Sequence, residues 1–186
     1  MTAAFEHKRQ KTIHKWAAWS LVQASFQDPA GLEFTRTFVK SPGAVGVVAL
    51  LGEPGQRDVL LVRQYRPPFQ KYTLEIPAGM RDREGEDPMI TARRELEEEA
   101  GFGAKTLVAL GNHESAPGIS DSVAQLFLAV DLFATKIDRH GPEERFMTIE
   151  RIKFGDALEM TRTGEISDGK TIIGLLLVAQ FFDAYL

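Results

Sequence analysis

The chain has 186 residues, 44% of them apolar, 26% charged and 9% aromatic, which suffices for one buried core and excludes a disordered or collagen-like chain. With 22 Lys and Arg against 26 Asp and Glu, the formal charge of −4 supplies no broad positive field for a nucleic-acid backbone. The lack of cysteine excludes disulfides and thiolate metal sites, and favours a reducing, cytoplasmic address.

The segment up to Trp16 is polar and has no apolar stretch of signal-peptide length, so no secretion signal is expected. From Ile13 to Val39 aromatic and β-branched residues are interrupted by Asp28-Pro29-Ala30-Gly31, a turn composition that predicts a β-hairpin. The apolar runs Ala44–Leu51 and Val59–Arg63, separated by Gly52-Glu53-Pro54-Gly55, predict central strands, and Tyr72–Ile76 a third that ends in Pro77-Ala78-Gly79. The period then changes to that of a helix. Asp87 is placed to cap it, Pro88 to start it and Gly101 to end it in a left-handed turn. Further strands are expected at Lys105–Leu110, Ala124–Val130 and Met147–Ile152, and helices from about Asp156 and Asp168. The apolar stretch Thr171–Leu186 falls short of the roughly 18–20 residues of a bilayer span and is broken by Gln180 and Asp183, so it reads as a buried helix and no membrane partner is expected. The pattern is α+β, a mixed sheet between helices, without internal repeats or an interdomain linker.

On the helix after Pro88, Met89, Ala92, Leu96 and Ala100 form the expected core stripe, and Glu95, Glu98 and Glu99 share one arc beside it. Like charges at these spacings cost roughly 0.2–0.5 kcal/mol per pair in an isolated helix. A divalent cation would remove that penalty; a solvated acidic face paired with Arg93 and Arg94 is the alternative for an arbitrary Glu-rich helix. The histidines at 7, 14, 113 and 140 have no ligand spacing, and neither a Ser-His-Asp arrangement nor a Gly-rich P-loop is found.

The longer string decides between these alternatives. Gly79, Glu86, Arg94, Glu95, Leu96, Glu98, Glu99, Gly101 and Phe102 closely resemble the Nudix box, a glycine, a glutamate and R-E-U-x-E-E-x-G-U, with U bulky and apolar. Six residues separate Gly79 from Glu86 where the family usually has five, so a bulged loop is expected ahead of the helix. The resemblance implies a Nudix fold, an α/β/α sandwich with an N-terminal antiparallel hairpin or sheet, divided into residues 1–42 and a hydrolase domain over 43–186. It further implies Mg²⁺, with Mn²⁺ as a substitute, held by the Ala78 carbonyl, Glu95, Glu98 and Glu99. Glu98 and Glu99 would be catalytic, while Glu86 and Arg94 would hold the loop against the helix. Carboxylates one helical turn apart suit Mg²⁺, which prefers a few carboxylates plus water and substrate phosphate.

The flanks Gln64-Tyr65-Arg66-Pro67-Pro68, Glu75-Ile76-Pro77-Ala78-Gly79 and Ser115-Ala116-Pro117-Gly118 look similar to the subset that cleaves ADP-ribose and other nucleoside diphosphate sugars, in which a proline about fifteen residues past the box is typical. Pro117 holds that place. Arg66 would grip a phosphate through its planar guanidinium. Ser115, Pro117 and Gly118 would form a rigid turn beside the sugar, and Trp19 or Phe34 would stack on the base. The family's general base is a glutamate on a late loop, where Glu143 and Glu144 stand. A homodimer in which the N-terminal hairpin reaches the partner's site is also expected. The alternatives are hydrolysis of GDP-mannose, of a dinucleotide or of a damaged nucleoside triphosphate, or a non-catalytic nucleotide-sugar-binding module.

Overall fold

The computed structural model of the protein describes residues 4–139 and 144–186. It divides into two compact units.

The first unit comprises the residues up to Gly43 together with Glu114–Val123. Its strands β1 (Glu6–Trp16), β2 (Trp19–Gln27) and β3 (Glu33–Lys40) form an antiparallel sheet in that order. The expected turn closes β2 onto β3, where the Asp28 carboxylate accepts the Ala30 and Leu32 N–H groups, both at 2.9 Å. The N-terminal antiparallel hairpin or sheet that the resemblance implies is a sheet, in which β2 and β3 form the hairpin of Ile13–Val39 and β1 adds a third strand. β1 escaped notice because every one of its residues is exposed, so burial imposes no alternation on its polar sequence. Glu114–Val123 is tied to β3 and the residues after it: the Val39 N–H donates to the Ile119 carbonyl (2.9 Å) and the Ser41 N–H to the Asp121 carboxylate (2.8 Å).

The second unit carries β4 (Ala44–Leu51), β5 (Asp58–Arg66), β6 (Lys71–Glu75), β7 (Ala78–Met80), α1 (Pro88–Ala100), β8 (Phe102–Glu114) and β9 (Val123–Ala134) apart from their end residues Glu114 and Val123, β10 (Thr148–Lys153), α2 (Phe154–Thr163) and α3 (Gly169–Phe181). The sheet runs β10-β5-β4-β9-β8, with β6 paired to β5 and β7 to β4. It is mixed, since β4 is parallel to β9 and antiparallel to β5 and β7.

The uninterrupted apolar sequence of β4 follows from burial on both faces. Val48 and Leu50 join Leu126, Leu128, Phe154, Ala157, Leu175 and Val178 in one core, against α2 and α3. Val45, Val47 and Ala49 join Phe127, Ala92, Leu96 and Ala100 in the other, against α1. This is the layered α/β/α arrangement expected. Helix α1 has the expected ends: Asp87 accepts the Met89 N–H at 2.7 Å, Pro88 is its first residue, and Gly101 takes φ +70° with its N–H on the Glu97 carbonyl. Its buried face differs from the expected stripe. Met89, in the first turn, is 38% exposed, whereas Thr91, Glu95 and Glu99 are buried along with Ala92, Leu96 and Ala100. Among the described residues no helix is long and apolar enough to cross a membrane.

Leu96 is fully buried between α1 and the sheet. Leu96→Ala is expected to lower stability by about 2–5 kcal/mol, read as a shifted urea midpoint with unchanged slope.

Candidate active site

Two of the three helix carboxylates lie inside the second unit because they meet backbone there. β7 pairs with β4 and presents Ala78 and Gly79 to α1. The Glu99 carboxylate accepts the Ala78 N–H at 2.8 Å. Glu95 lies against Gly79, where a Cβ would stand 1.9 Å from the Glu95 Cδ, so no residue with a side chain fits without displacing the carboxylate. Thus the glycine that opens the motif serves close approach.

Burial dominates the protonation of both groups. It pushes Glu95 up to about 7 against the pull of Arg94, with Glu98 adding to the rise. It pushes Glu99 up to about 8, opposed by the Ala78 N–H and reinforced by Glu95 and Glu144. Glu98 is more exposed and is held by Arg94, whose Nη1 donates to Glu98 (2.9 Å) and pairs with Glu95 (2.7 Å). Arg94 also lies 3.6 Å from Glu86, which accepts the Thr91 hydroxyl at 2.7 Å, so this pair closes the loop onto α1. Arg139 supports the same helix end: its guanidinium donates to the Glu99 carbonyl (2.9 Å) and to the Met147 carbonyl (2.7 Å).

Among the described residues no three His, Cys, Asp or Glu side chains stand together in metal-ligating geometry, and Arg94 engages two of the three carboxylates. The donor chemistry nevertheless fits a hard divalent cation. Glu95, Glu98, Glu99 and the backbone at Ala78 offer only oxygen ligands, and a cation would offset the burial cost that now drives Glu95 and Glu99 toward their protonated forms.

Arg66 forms a fork with Glu75, Nε to Oε1 at 2.7 Å and Nη2 to Oε2 at 2.6 Å. Burial raises the Glu75 pKa, but Arg66 and Lys170 outweigh it and hold the group at about 2. These residues line a cavity of about 490 Å³ with Phe69, Lys71 and Asp168. Glu144 opens a short helical turn, Glu144–Phe146. Glu143 lies outside the described residues.

The remaining candidates belong to the first unit. Phe34, Pro117 and Gly118 line a cavity of about 600 Å³ there with Phe5, Phe26 and Arg36. Phe34 stacks on Phe26, and Arg36 lies 4.9 Å from the Phe34 ring centre. Trp19 is stacked on Trp16 and does not line that cavity. Ser115 closes the base of the loop through its N–H to the Ser122 carbonyl at 3.1 Å. Glu75, Lys170 and Arg139 went unassigned in the sequence reading. A lone glutamate in an otherwise apolar strand end is the available signal for Glu75; for the two cations, whose contacts with Glu75 and Glu99 span 95 and 40 residues, there is none.

A model of the NUDIX domain matches residues 40–168. The chain belongs to the Nudix family. This Nudix hydrolase is 37% identical over 167 residues to an ADP-ribose pyrophosphatase of Bacillus subtilis (strain 168), covering 87% of this chain and 88% of that one. It is 33% identical over 178 residues to a methanol dehydrogenase activator of Bacillus methanolicus, covering 94% of each. A crystal structure of an ADP compounds hydrolase matches 97% of this chain and 95% of its own with TM-score 0.81 at 20% identity, which shows the common fold. Nudix hydrolases generally use divalent metal ions, in keeping with the donor set at Glu95 and Glu99.

A carboxylate raised above its ordinary pKa keeps a proton in the folded state that the unfolded chain has released. Its contribution to stability is complete below the unfolded value of 4.5 and is lost as pH rises through about 7 for Glu95 and about 8 for Glu99. In chelator, the thermal midpoint is therefore expected to fall between about pH 5 and pH 8.5 less steeply for the Glu95→Gln/Glu99→Gln double variant than for wild type, as read by calorimetry. Equal slopes would contradict these environments.

Proposed function

We propose that this Nudix hydrolase is a Mg²⁺-dependent pyrophosphatase that splits ADP-ribose or a related nucleoside diphosphate sugar into a nucleoside monophosphate and a sugar phosphate. The observation that carries this is the pair of buried carboxylates facing the Ala78–Gly79 backbone, in a chain similar over most of its length to a protein named for ADP-ribose cleavage.

Each residue has a role derived from its surroundings. Glu95, Glu99, Glu98 and the Ala78 carbonyl would hold Mg²⁺, or Mn²⁺ in its place. When bound, the ion supplies charge neutralisation at the diphosphate and acidifies a bound water. Gly79 lets Glu95 reach the backbone, and Arg94 keeps Glu98 and Glu95 oriented before substrate arrives. The Arg66 fork on Glu75 engages Nε and Nη2 and leaves Nη1 as the edge that meets a phosphate oxygen. We assign the proton of the attacking water to a glutamate of the late loop, Glu143 or Glu144, or to Glu98 on α1. For Phe34, Ser115, Pro117 and Gly118 we propose base and sugar contacts, on the strength of the aromatic cavity within the N-terminal unit; Trp19 is the alternative stacking surface. The N-terminal region, residues 1–42, is proposed to dimerise, with the hydrolase domain following from 43.

A panel of nucleoside diphosphate sugars and triphosphates assayed with Mg²⁺ in ¹⁸O-water tests the reading. ADP-ribose or another nucleotide sugar is expected to turn over fastest, with label in one of the two phosphate products. Rapid turnover of a triphosphate with no nucleotide-sugar cleavage would reject it. Glu99→Gln is expected to cut kcat by at least about 100-fold while far-ultraviolet circular dichroism stays unchanged, because even residues behind a metal ligand commonly cost 10–100-fold. Light scattering at assay concentration is expected to give twice the mass of one chain, and a monomer mass would remove the dimer proposal.

A further inference from the structure

The start of α3 carries Asp168 as its N-cap and Lys170 and Thr171 in its first turn, none of which the reaction outlined above employs. Lys170 and Thr171 reach back to Glu75, the last residue of β6, and to Ile76, two residues ahead of Ala78, while Asp168 holds both of them. The Ile76 N–H donates to the Thr171 hydroxyl oxygen at 2.9 Å. That hydroxyl in turn donates to Asp168 Oδ2 at 2.6 Å, and the same oxygen caps the helix by accepting the Thr171 N–H at 3.0 Å. Lys170 pairs with Glu75, the residue before Ile76, and with Asp168 at 3.0 Å.

The geometry allows little slack. Thr171 and Ile76 are fully buried, and Leu175 and Val178 anchor α3 in the core that Ile76 shares. The Thr171 hydroxyl has its proton committed to Asp168, so its oxygen is oriented to accept, and Ile76 N–H has a fixed partner. A buried N–H without such a partner would carry a desolvation penalty and would draw the strand end elsewhere. From Ile76 the chain passes through Pro77, whose carbonyl accepts the Val47 N–H at 2.9 Å, to Ala78, whose N–H is held by Glu99. The segment 75–78 is thus fixed on one side by α3, on another by β4, and at its far end by α1.

We infer that Thr171, oriented by Asp168, is a positioning residue that sets the Ala78 backbone against Glu99 and thereby tunes the affinity of the site for a divalent ion. This rests on the reading of Ala78 and Glu99 as metal ligands. Thr171 touches neither metal nor substrate; it acts through Ile76. Lys170 does the same service for Glu75, and through it for Arg66.

Thr171→Val keeps the shape and removes the acceptor, and Thr171→Ser restores the hydroxyl. With Mn²⁺ as the probe in titration calorimetry, Thr171→Val is expected to weaken binding about tenfold, the equivalent of one lost buried hydrogen bond, and Thr171→Ser to bind within about twofold of wild type. In parallel, the Mg²⁺ concentration for half-maximal activity is expected to rise by the same factor while the KM for substrate at saturating Mg²⁺ stays unchanged. Asp168→Ala keeps Thr171 but leaves its hydroxyl unoriented, and is expected to shift Mn²⁺ binding in the same direction, which covers the case of a Thr171→Val protein that does not fold. Wild-type Mn²⁺ affinity in folded Thr171→Val or Asp168→Ala overturns the inference and leaves the metal site standing. Absence of Mn²⁺ binding in wild type overturns the metal reading itself.

Discussion

The structure turns on a close approach between two carboxylates and a stretch of backbone. Glu95 and Glu99 are buried where β7 brings Ala78 and Gly79 against α1, and their burial is costly unless something positive shares the space. The elements of the second unit can be ordered by what they contribute to that approach. β4 supplies the register that places Ala78 and Gly79, and the apolar face of Ala92, Leu96 and Ala100 fixes the distance and rotation of α1. The missing side chain at residue 79 supplies the last ångströms.

Glutamates of similar burial are treated in opposite ways within this unit. Burial raises Glu75 too, yet Arg66 and Lys170 bring it to about 2, whereas Glu95 and Glu99 rise to about 7 and 8 because the cations near them offset less. The difference lies in what faces each group. Glu75 has a guanidinium fork and an ammonium; Glu99 has one backbone N–H, with Glu95 and Glu144 raising it further. A carboxylate with its charge already satisfied is a structural anchor. One left short of positive charge suits a ligand that brings its own.

The local parts of this arrangement were legible in the sequence. Asp87, Pro88 and Gly101 mark α1 through interactions that span only a few residues, and the spacing of Glu95, Glu98 and Glu99 needs nothing but the helical period. The apolar runs of β4, β5 and β9 announced a sheet covered on both faces. What escaped was non-local. Met89 fits the stripe by period, but at the helix start the neighbouring layer does not cover it, and by period alone Glu95 and Glu99 are flanking charges, whereas backbone from β7 encloses them. The bonds of Lys170 to Glu75 and of Thr171 to Ile76 join residues about 95 positions apart, beyond the reach of any motif. β1 was missed for a different reason: a strand exposed along its whole length has no burial pattern to read.

The loop ahead of α1 carries one residue more than the usual motif, and its exposed stretch turns at Gly85, with φ +77° and no heavy atom near its would-be side chain. It is closed behind that turn by Glu86 on Thr91 and Arg94. Length added there is taken up in solvent, upstream of the clasp, and never reaches the helix whose phase fixes the acidic face. Spacing within the helix is therefore under geometric constraint while spacing before it is free to drift, and a search pattern that weighs both halves equally would discard chains whose chemistry is intact.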